Sequence, residues 1–311
     1  MKNLNVRLFT DYPICNYSCS YCISGHGNND WIPREPDLEN YMPIIQRIVE
    51  LPYKINIRIG VSGEFFLSKK LIEGARYLSN QENIESVNLI SNLSFSEKQY
   101  EKCFEGFDMN KVAMVASYHP TEVKDKEKWL KTAIWMNNKI KLSICLIVHP
   151  QILPSITKIK NIFNDNGIQV FLQGFIGIFN GKEYPQSYTQ EELEIIKKNV
   201  YSRHDYEFLV LRKKPKLCNA GHKSIYIDML GRVLICGGRI VDVEPLGNIL
   251  KDKDLKLYDR PKLCTAEDCL CNTDNINTVV FEEKYERYGV HQHQYNYNLE
   301  DDEWDYSKPY M

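Results

Sequence analysis

Residues 5–22 read NVRLFTDYPICNYSCSYC, a β-rich run followed by three closely spaced cysteines. The cysteines are Cys15, Cys19 and Cys22, so the spacing is Cys-x3-Cys-x2-Cys. Thiols this close in sequence can converge on one point at a small cost in loop-closure entropy. Soft sulfur ligands select zinc or iron–sulfur clusters. The segment therefore predicts a metal-binding loop directly after a strand from Asn5 to Phe9.

The fourth ligand decides which metal this loop would hold. A structural zinc site takes four protein ligands, and His26 could supply the fourth. In a four-iron cluster, three cysteines would leave one iron without a protein ligand and able to bind another molecule. The α/β pattern after the loop differs from the hairpin-and-helix module of a zinc finger, so the context favours a cluster and leaves zinc as the alternative.

Short β-rich runs alternate with helical runs after the cysteine loop. The predicted strands that follow the first are Ile55–Val61, Val87–Ile90, Val112–Ser117, Lys141–Val148 and Val170–Phe175. The predicted helices are Leu38–Leu51, Lys69–Leu78, Ser96–Phe104, Glu127–Asn137, Ile156–Asn164 and Gln190–Val200. Strands that alternate with helices in this way predict βαβ units and a parallel sheet. Polar and apolar residues alternate within the fifth strand, which favours a sheet curved into a partial barrel over a flat, fully buried sheet.

Composition excludes several classes of protein. The chain has 311 residues, 43% of them apolar, and a net charge of −2. Its length fits one large α/β domain with a small second domain. Lys and Arg are scattered, which argues against a nucleic-acid partner, and no stretch reaches the roughly 20 apolar residues of a membrane span. Without a signal-peptide pattern we expect a cytoplasmic protein with no membrane partner, whose clustered cysteines bind metal or react.

A second group of cysteines lies further along the chain: Cys218, Cys236, Cys264, Cys269 and Cys271. A hairpin that turns near Leu230-Gly231 would bring the first two together. The other three could then complete a four-sulfur site, with one cysteine to spare. Four sulfurs suit zinc as well as iron, so spacing by itself leaves a zinc ribbon and an iron–sulfur cluster equally open.

The N-terminal part of the chain, residues 1–204, resembles the radical S-adenosylmethionine (radical SAM) enzymes. These enzymes carry Cys-x3-Cys-x2-Cys after the first strand of a partial (β/α)6 barrel, with an aromatic residue before the third cysteine, here Tyr21. The family also has a Gly-Gly-Glu-like segment that binds the amino group of the cofactor's methionine. Here it reads Ser62-Gly63-Glu64-Phe65, with Ser for the first Gly and Phe for the usual Pro. The alternative for this segment is a simple turn with a solvated Glu64.

The resemblance implies further cofactor contacts at the C-terminal ends of later strands, where barrels bind their ligands. The residues are Asn92, Ser117, His119 and Gln173. His119 precedes a proline and could be a turn residue, and Gln173 could line a barrel without touching a ligand. Cys145 is expected to face the interior, where its thiol could return a hydrogen atom to a substrate radical. A small buried apolar side chain is the favoured alternative for Cys145.

The second cysteine group also resembles a known extension of these enzymes. The SPASM and twitch extensions carry a Gly-x4-Cys segment among further cysteines that hold auxiliary [4Fe–4S] clusters, and Gly231-x4-Cys236 matches it. Five cysteines correspond to the shorter twitch form with one auxiliary cluster. The resemblance implies a β-rich twitch-like domain at 205–275 and a polar, aromatic tail at 276–311.

The resemblance also implies the chemistry. Reductive cleavage of S-adenosylmethionine (SAM) would give a 5′-deoxyadenosyl radical that abstracts a substrate hydrogen, with a flavodoxin or ferredoxin as the one-electron reductant. An auxiliary cluster closed by four thiolates would accept an electron, which favours net oxidation. Because the chain starts at the first strand, we expect no N-terminal peptide-recognition domain and a small polar substrate such as a sugar or cyclitol. Crosslinking, oxidation or epimerisation of a peptide is the alternative, and a non-catalytic zinc-binding adaptor is the distant one.

Overall fold

Six parallel strands form the centre of the molecule. The computed structural model describes residues 2–25, 34–201, 203–206, 209–210, 217–236, 245–262 and 278–279. The strands are β1 (Lys2–Thr10), β2 (Tyr53–Val61), β3 (Ile84–Ser91), β4 (Val112–Ser117), β5 (Lys141–Ile147) and β6 (Gln169–Gln173). Each strand pairs in parallel with the next one along the chain. The predicted α/β class and parallel sheet are confirmed.

Helices follow the strands with bounds close to those predicted. They are α1 (Tyr41–Val49), α2 (Lys69–Ser79), α3 (Glu97–Phe104), α4 (Lys126–Asn137), α5 (Ile156–Asp165), α6 (Gln190–Asn199) and the short α7 (Arg203–Tyr206). Local capping explains where they begin: the Ser68 hydroxyl accepts from the backbone N–H of Leu71 in α2, and Thr189 forms a capping box with Glu192 in α6. In the part of the chain that the structure describes, no helix is long and apolar enough to cross a membrane.

The strand order assigns different roles to the two faces of the sheet. Parallel strands joined in chain order by right-handed crossovers carry their connecting helices on one side. Alternate residues of β1, such as Val6, join one large apolar core with those helices. The opposite face, called the cavity face below, carries Arg7, Arg58, Val115, Cys145 and Phe171. The last three form a small cluster separate from the main core.

A short hairpin after β6 was missed by the sequence analysis. It consists of β7 (Gly177–Phe179) and β8 (Lys182–Tyr184), paired antiparallel. Asn180 and Gly181 form its turn with φ angles of 50° and 72°. An Asn-Gly pair is a strong hairpin signal because both positions need positive φ. The predicted sixth strand ran to Phe175, whereas β6 ends at Gln173 because the chain leaves the sheet towards this hairpin.

Strands from the C-terminal third extend the same sheet beyond β1. After β9 (Leu217–Cys218), β10 (Ser224–Ile227) pairs in parallel with β1, and β11 (Arg232–Leu234) returns antiparallel to β10. The turn between β10 and β11 contains Gly231 at φ +75°, so the predicted hairpin is present. With β12 (Gly247–Asn248) the sheet has the order β12-β11-β10-β1-β2-β3-β4-β5-β6. Strand β9 pairs instead with β13 (Thr278–Val279).

Candidate active site

A cavity of about 270 Å³, called the first cavity below, opens at the C-terminal ends of the parallel strands. Parallel strands bring these ends to one edge of a sheet, where the loops that follow them can build a site. All of the residues predicted for the catalytic cluster and its cofactor line this cavity: Cys15, Cys19, Tyr21, Cys22, Gly63, Glu64, Asn92, Ser117, His119, Cys145 and Gln173. The fold therefore collects residues that are up to 158 positions apart, from 15 to 173.

The three N-terminal thiols belong to a tightly turned loop. The backbone N–H of Cys22 donates to the carbonyl of Cys19 at 3.0 Å, and that of Gly25 donates to Cys22 at 2.9 Å. Burial, followed by the nearby charges of Glu122, Cys22 and Cys15, raises the pKa of Cys19 to about 12. A Cys19 thiolate is therefore unfavourable unless a cationic centre stabilises it, as a bound metal does.

The three N-terminal thiols are soft donors that face one cavity. None of them forms a disulfide, and all three line the first cavity. Within the described residues, no group of three His, Cys, Asp or Glu side chains that could hold a single metal ion was found. His26, the alternative zinc ligand, lies outside the described residues. Three soft ligands around a cavity fit an iron–sulfur cluster.

Tyr21 holds the cysteine loop against the end of β4. Its hydroxyl lies 3.3 Å from Nδ1 of His119 and 3.2 Å from the hydroxyl of Thr121. The Tyr21 ring also stacks on His119 and packs against His149, with centroids 5.8 Å and 5.0 Å apart. Burial lowers the pKa of His119 to about 4, so the ring is neutral near pH 7 and its Nδ1 can accept from Tyr21. Both residues act on the cavity by positioning the loop.

Glu64 joins the ends of β2 and β3. Its carboxylate accepts from the backbone N–H of Phe66 at 3.1 Å, the hydroxyl of Ser91 at 2.8 Å and the backbone N–H of Asn92 at 2.6 Å. The side chain is only 2% exposed, so Glu64 is not a solvated turn residue. Burial raises its pKa to about 7, against the opposing effect of these donors. A carboxylate has about four acceptor positions, which leaves room for one further donor from a ligand.

Asn92 connects the end of β3 to the cysteine loop. Its Nδ2 donates to Oδ1 of Asn16 at 2.8 Å and lies 3.9 Å from Sγ of Cys15. The indole N–H of Trp129 donates to the backbone carbonyl of Asn92 at 3.0 Å, which holds the Asn92 backbone in place. Hydrogen bonds to ligand sulfur tune the reduction potential of iron–sulfur clusters, so Asn92 can act on a cluster through Cys15.

Gly63 allows the β2 end to touch the cysteine loop. A Cβ atom added at Gly63 would overlap the carbonyl oxygen of Ile14 and lie 2.8 Å from that of Tyr12. The next residue, Glu64, donates its backbone N–H to the same Ile14 oxygen at 2.8 Å. Because both partners are backbone atoms, a side chain at position 63 must push the cysteine loop away.

We expect Gly63→Ala to lower the free energy of unfolding by about 2 kcal/mol, in the range of overpacked sites. Chemical denaturation of the metal-free protein measures this. Gly60→Ala, on the same strand, is the control, because its Cβ would meet nothing closer than 3.6 Å. It should stay within about 1 kcal/mol of wild type. Equal effects of the two variants would contradict the close contact.

A second cavity of about 230 Å³ lies on the cavity face. It shares five wall residues with the first: Val61, Ile90, Ser117, Cys145 and Gln173. The Cys145 thiol donates to Oε1 of Gln173 at 3.1 Å. Burial raises the pKa of Cys145 to about 12, so this group is a protonated thiol near pH 7. Cys145 and Gln173 therefore stand between the two cavities.

The second cavity contains functional candidates that the sequence analysis missed. Arg7 on β1, Arg58 on β2 and Tyr226 on β10 all line it. The signal was present, since each arginine lies at the middle of a strand whose neighbouring residues are apolar. A charged side chain at such a position has to face a cavity, a partner or solvent.

The second cysteine group is described only in part. Cys218, at the end of β9, is buried, and Cys236, just after β11, is half-buried. Cys236 follows Leu234 of β11 by two residues, and Leu234 pairs with Tyr226 of β10. Cys264, Cys269 and Cys271 lie outside the described residues.

No protein-family model matches the chain, and no curated protein matches it in sequence. Several solved structures match its fold. Native anSMEcpe with bound AdoMet (S-adenosylmethionine) has a TM-score of 0.57 at 16% identity, covering 80% of this chain and 79% of that one. Streptococcus suis SuiB bound to S-adenosylmethionine has a TM-score of 0.53 at 13% identity, covering 81% and 64%.

A third match is native anSMEcpe with bound AdoMet and Cp18Cys peptide, at a TM-score of 0.52 and 18% identity, covering 80% of this chain and 78% of that one. The matched proteins are radical SAM enzymes. At these identities the likeness concerns the fold, and it agrees with the resemblance carried by the cysteine spacing and the strand order. This chain has the fold of the radical SAM enzymes.

Proposed function

We propose that the chain is a radical SAM enzyme in which Cys15, Cys19 and Cys22 hold a [4Fe–4S] cluster and the first cavity binds SAM. The observation that carries this proposal is the convergence of the residues predicted for the catalytic cluster and for SAM on one cavity. When bound and reduced, the cluster and SAM together supply a 5′-deoxyadenosyl radical that can abstract a hydrogen atom from carbon.

In this proposal, the residues that line the first cavity bind and orient the cofactor and shield it from water. Asn92, Ser117 and Gln173 present polar groups at the ends of β3, β4 and β6 for the cofactor's polar atoms. Glu64 offers its remaining acceptor position to an ammonium group, which is a strong, charge-assisted arrangement. The apolar side chains of Ile147 and Phe175 complete the wall and help to exclude water.

We also propose that the sheet is a partial (β/α)6 barrel. In a flat sheet, β10 and β6 would lie about 29 Å apart, at about 4.8 Å per strand. Tyr226 on β10 and Phe171 on β6 nevertheless line the same 230 Å³ cavity. A curved sheet accounts for this. The domain division proposed with it is a core at 1–204 and a twitch-like unit at 205–275, in which β10 pairs directly with β1.

The net reaction we propose is oxidation of a small polar substrate in the second cavity. The two adjoining cavities, about 270 and 230 Å³, give the cofactor and a small molecule separate but neighbouring places. The proposed auxiliary cluster would be held by Cys218, Cys236 and two of Cys264, Cys269 and Cys271. It would lie close to the substrate, because Cys236 is two residues after Leu234, the β11 partner of Tyr226 in the second cavity. We propose a flavodoxin or ferredoxin as reductant and a reducing, cytoplasmic setting, since no described cysteine forms a disulfide.

Modification of a peptide is the second candidate. Two of the structural neighbours are described as complexes with a peptide, anSMEcpe with Cp18Cys and SuiB with the precursor peptide SuiA. The position of Cys145 between the cavities favours epimerisation within this candidate, because its protonated thiol could return a hydrogen atom to a substrate radical.

Iron content and SAM cleavage test the proposal. The full chain, purified and reconstituted without oxygen, is expected to hold about eight irons and to release 5′-deoxyadenosine after reduction in the presence of SAM. Cys236→Ala is expected to lose about four irons; an unchanged iron content would contradict the auxiliary cluster. Zinc alone, with no 5′-deoxyadenosine, would overturn the enzyme proposal in favour of the adaptor.

The same assay in D2O separates the two candidate reactions once a substrate is found. A product two hydrogens lighter than the substrate supports oxidation. Deuterium at the reacting carbon supports epimerisation, because the S–H of Cys145 exchanges with solvent.

A further inference from the structure

Two arginines lie side by side in the second cavity. Arg7 and Arg58 occupy paired positions on the neighbouring strands β1 and β2, which are about 4.8 Å apart in a sheet. Both line the second cavity, and neither lines the first. Arg58 is 7% exposed, so its guanidinium is held within the protein and not in bulk solvent.

The electrostatics of this cavity favour an anion. Burial, then the positive charge of Arg7, lowers the pKa of Arg58 to about 9. Two guanidiniums on one wall give that side of the cavity a positive potential, which favours an anionic ligand.

The cavity also offers the geometry that an anionic group needs. A planar guanidinium donates two parallel hydrogen bonds to a carboxylate or phosphate. The Tyr226 hydroxyl adds a neutral donor beside them, since burial raises its pKa above the usual value. The same cavity includes Ser117, Cys145 and Gln173, which also line the first cavity.

We infer that the second cavity binds the substrate through an anionic oxygen group, a carboxylate or a phosphate, held by Arg7 and Arg58. The inference rests on the proposed function, because it names the class of molecule on which the radical acts. A substrate held at the arginines would lie in the cavity that shares five wall residues with the first cavity. Arg7 and Arg58 are binding residues in this scheme and determine specificity.

The probes are inorganic phosphate and acetate, which represent the two sources of the group. Each is titrated into the reconstituted full chain at constant ionic strength, with chloride as the balancing anion, and binding is followed by calorimetry. We expect saturable binding of at least one probe. The tighter probe identifies the source as a phosphorylated or a carboxylated substrate. If neither binds more tightly than chloride, the inference is wrong.

Substitutions assign the binding to the arginines. Arg58→Gln should lower the affinity for the probe at least about tenfold, as expected for loss of a charged hydrogen-bonding partner. Arg58→Lys keeps the charge but not the planar guanidinium, so its affinity for the probe should lie between those of Arg58→Gln and wild type. Arg260→Gln removes one positive charge from an exposed position and controls for net charge. If Arg260→Gln weakens binding as much as Arg58→Gln does, the inference fails.

Two further measurements keep the test decisive. If Arg58→Gln does not fold, Arg7→Gln is tested in its place. Arg7 is the half-buried neighbour of Arg58, and its replacement is expected to lower the affinity for the probe to a similar extent. SAM affinity is measured in the same variants, and a loss of SAM affinity larger than the loss of probe affinity would assign the arginines to the cofactor and overturn the inference. Probe binding that persists in a protein that releases no 5′-deoxyadenosine would sink the proposed function alone.

Discussion

Cys19→Ala is expected to reduce the release of 5′-deoxyadenosine to background and to remove about four irons per chain. Cys19 is the buried member of the N-terminal triplet and is the middle residue of the loop. Its loss would leave only two ligands, Cys15 and Cys22. Two thiolates are too few to hold a four-iron cluster in which a single iron lacks a protein ligand. Iron analysis and quantification of 5′-deoxyadenosine from the anaerobically reconstituted protein measure both effects.

The matched control for this variant is Cys103→Ala. Cys103 is a half-buried cysteine of α3 that packs beside the main core and lines neither cavity. It should keep the wild-type iron content and product release. Wild-type iron content in Cys19→Ala would show that Cys19 is not a ligand, and equal losses in the two variants would indicate damage to folding instead.

Glu64→Ala is expected to lower the free energy of unfolding of the metal-free protein by about 3 kcal/mol or more. The substitution strips three buried donors of their acceptor, namely the N–H groups of Phe66 and Asn92 and the hydroxyl of Ser91. Each buried donor left without a partner costs about 1–3 kcal/mol, although the Ser91 hydroxyl can rotate to another acceptor. Chemical denaturation followed by circular dichroism gives the difference.

Two further variants serve as controls for the effect of Glu64→Ala. Glu64→Gln keeps one accepting oxygen, so its free energy of unfolding should lie between those of wild type and Glu64→Ala. Glu73→Ala removes an exposed carboxylate from α2 and should change stability by no more than about 0.5 kcal/mol. If Glu64→Ala is no more destabilising than Glu73→Ala, the carboxylate does not hold β2 and β3 together.

The sheet could be predicted because its signals are local. The strand from Val112 to Ser117 was predicted with the observed bounds, and five others were found to within a few residues. Alternation of side chains along a strand depends only on adjacent residues. The missed β7–β8 hairpin also had a local signal, Asn180-Gly181, but its strands of three residues are too short for alternation to reveal them.

The sequence could predict which residues belong to the candidate site, but not which contacts they make with one another. The position of Gly63 and Glu64 after a strand suggested a place near the cofactor, and both line the first cavity. That Glu64 accepts from Ser91 and Asn92 depends on how the β2 and β3 ends meet, which spacing cannot reveal. The pairing of Arg7 with Arg58 likewise depends on the register between strands 51 residues apart in the chain, 7 to 58.

By itself, the sequence determined the order of strands and helices and the cysteine loop after β1, because these follow from residues within a few positions of one another. Only the tertiary structure decided that Cys145 and Gln173 stand between two cavities and that two arginines face the second one. The physical reason is that a cavity is formed by side chains from many strands, whose register and curvature are set by packing across the whole sheet.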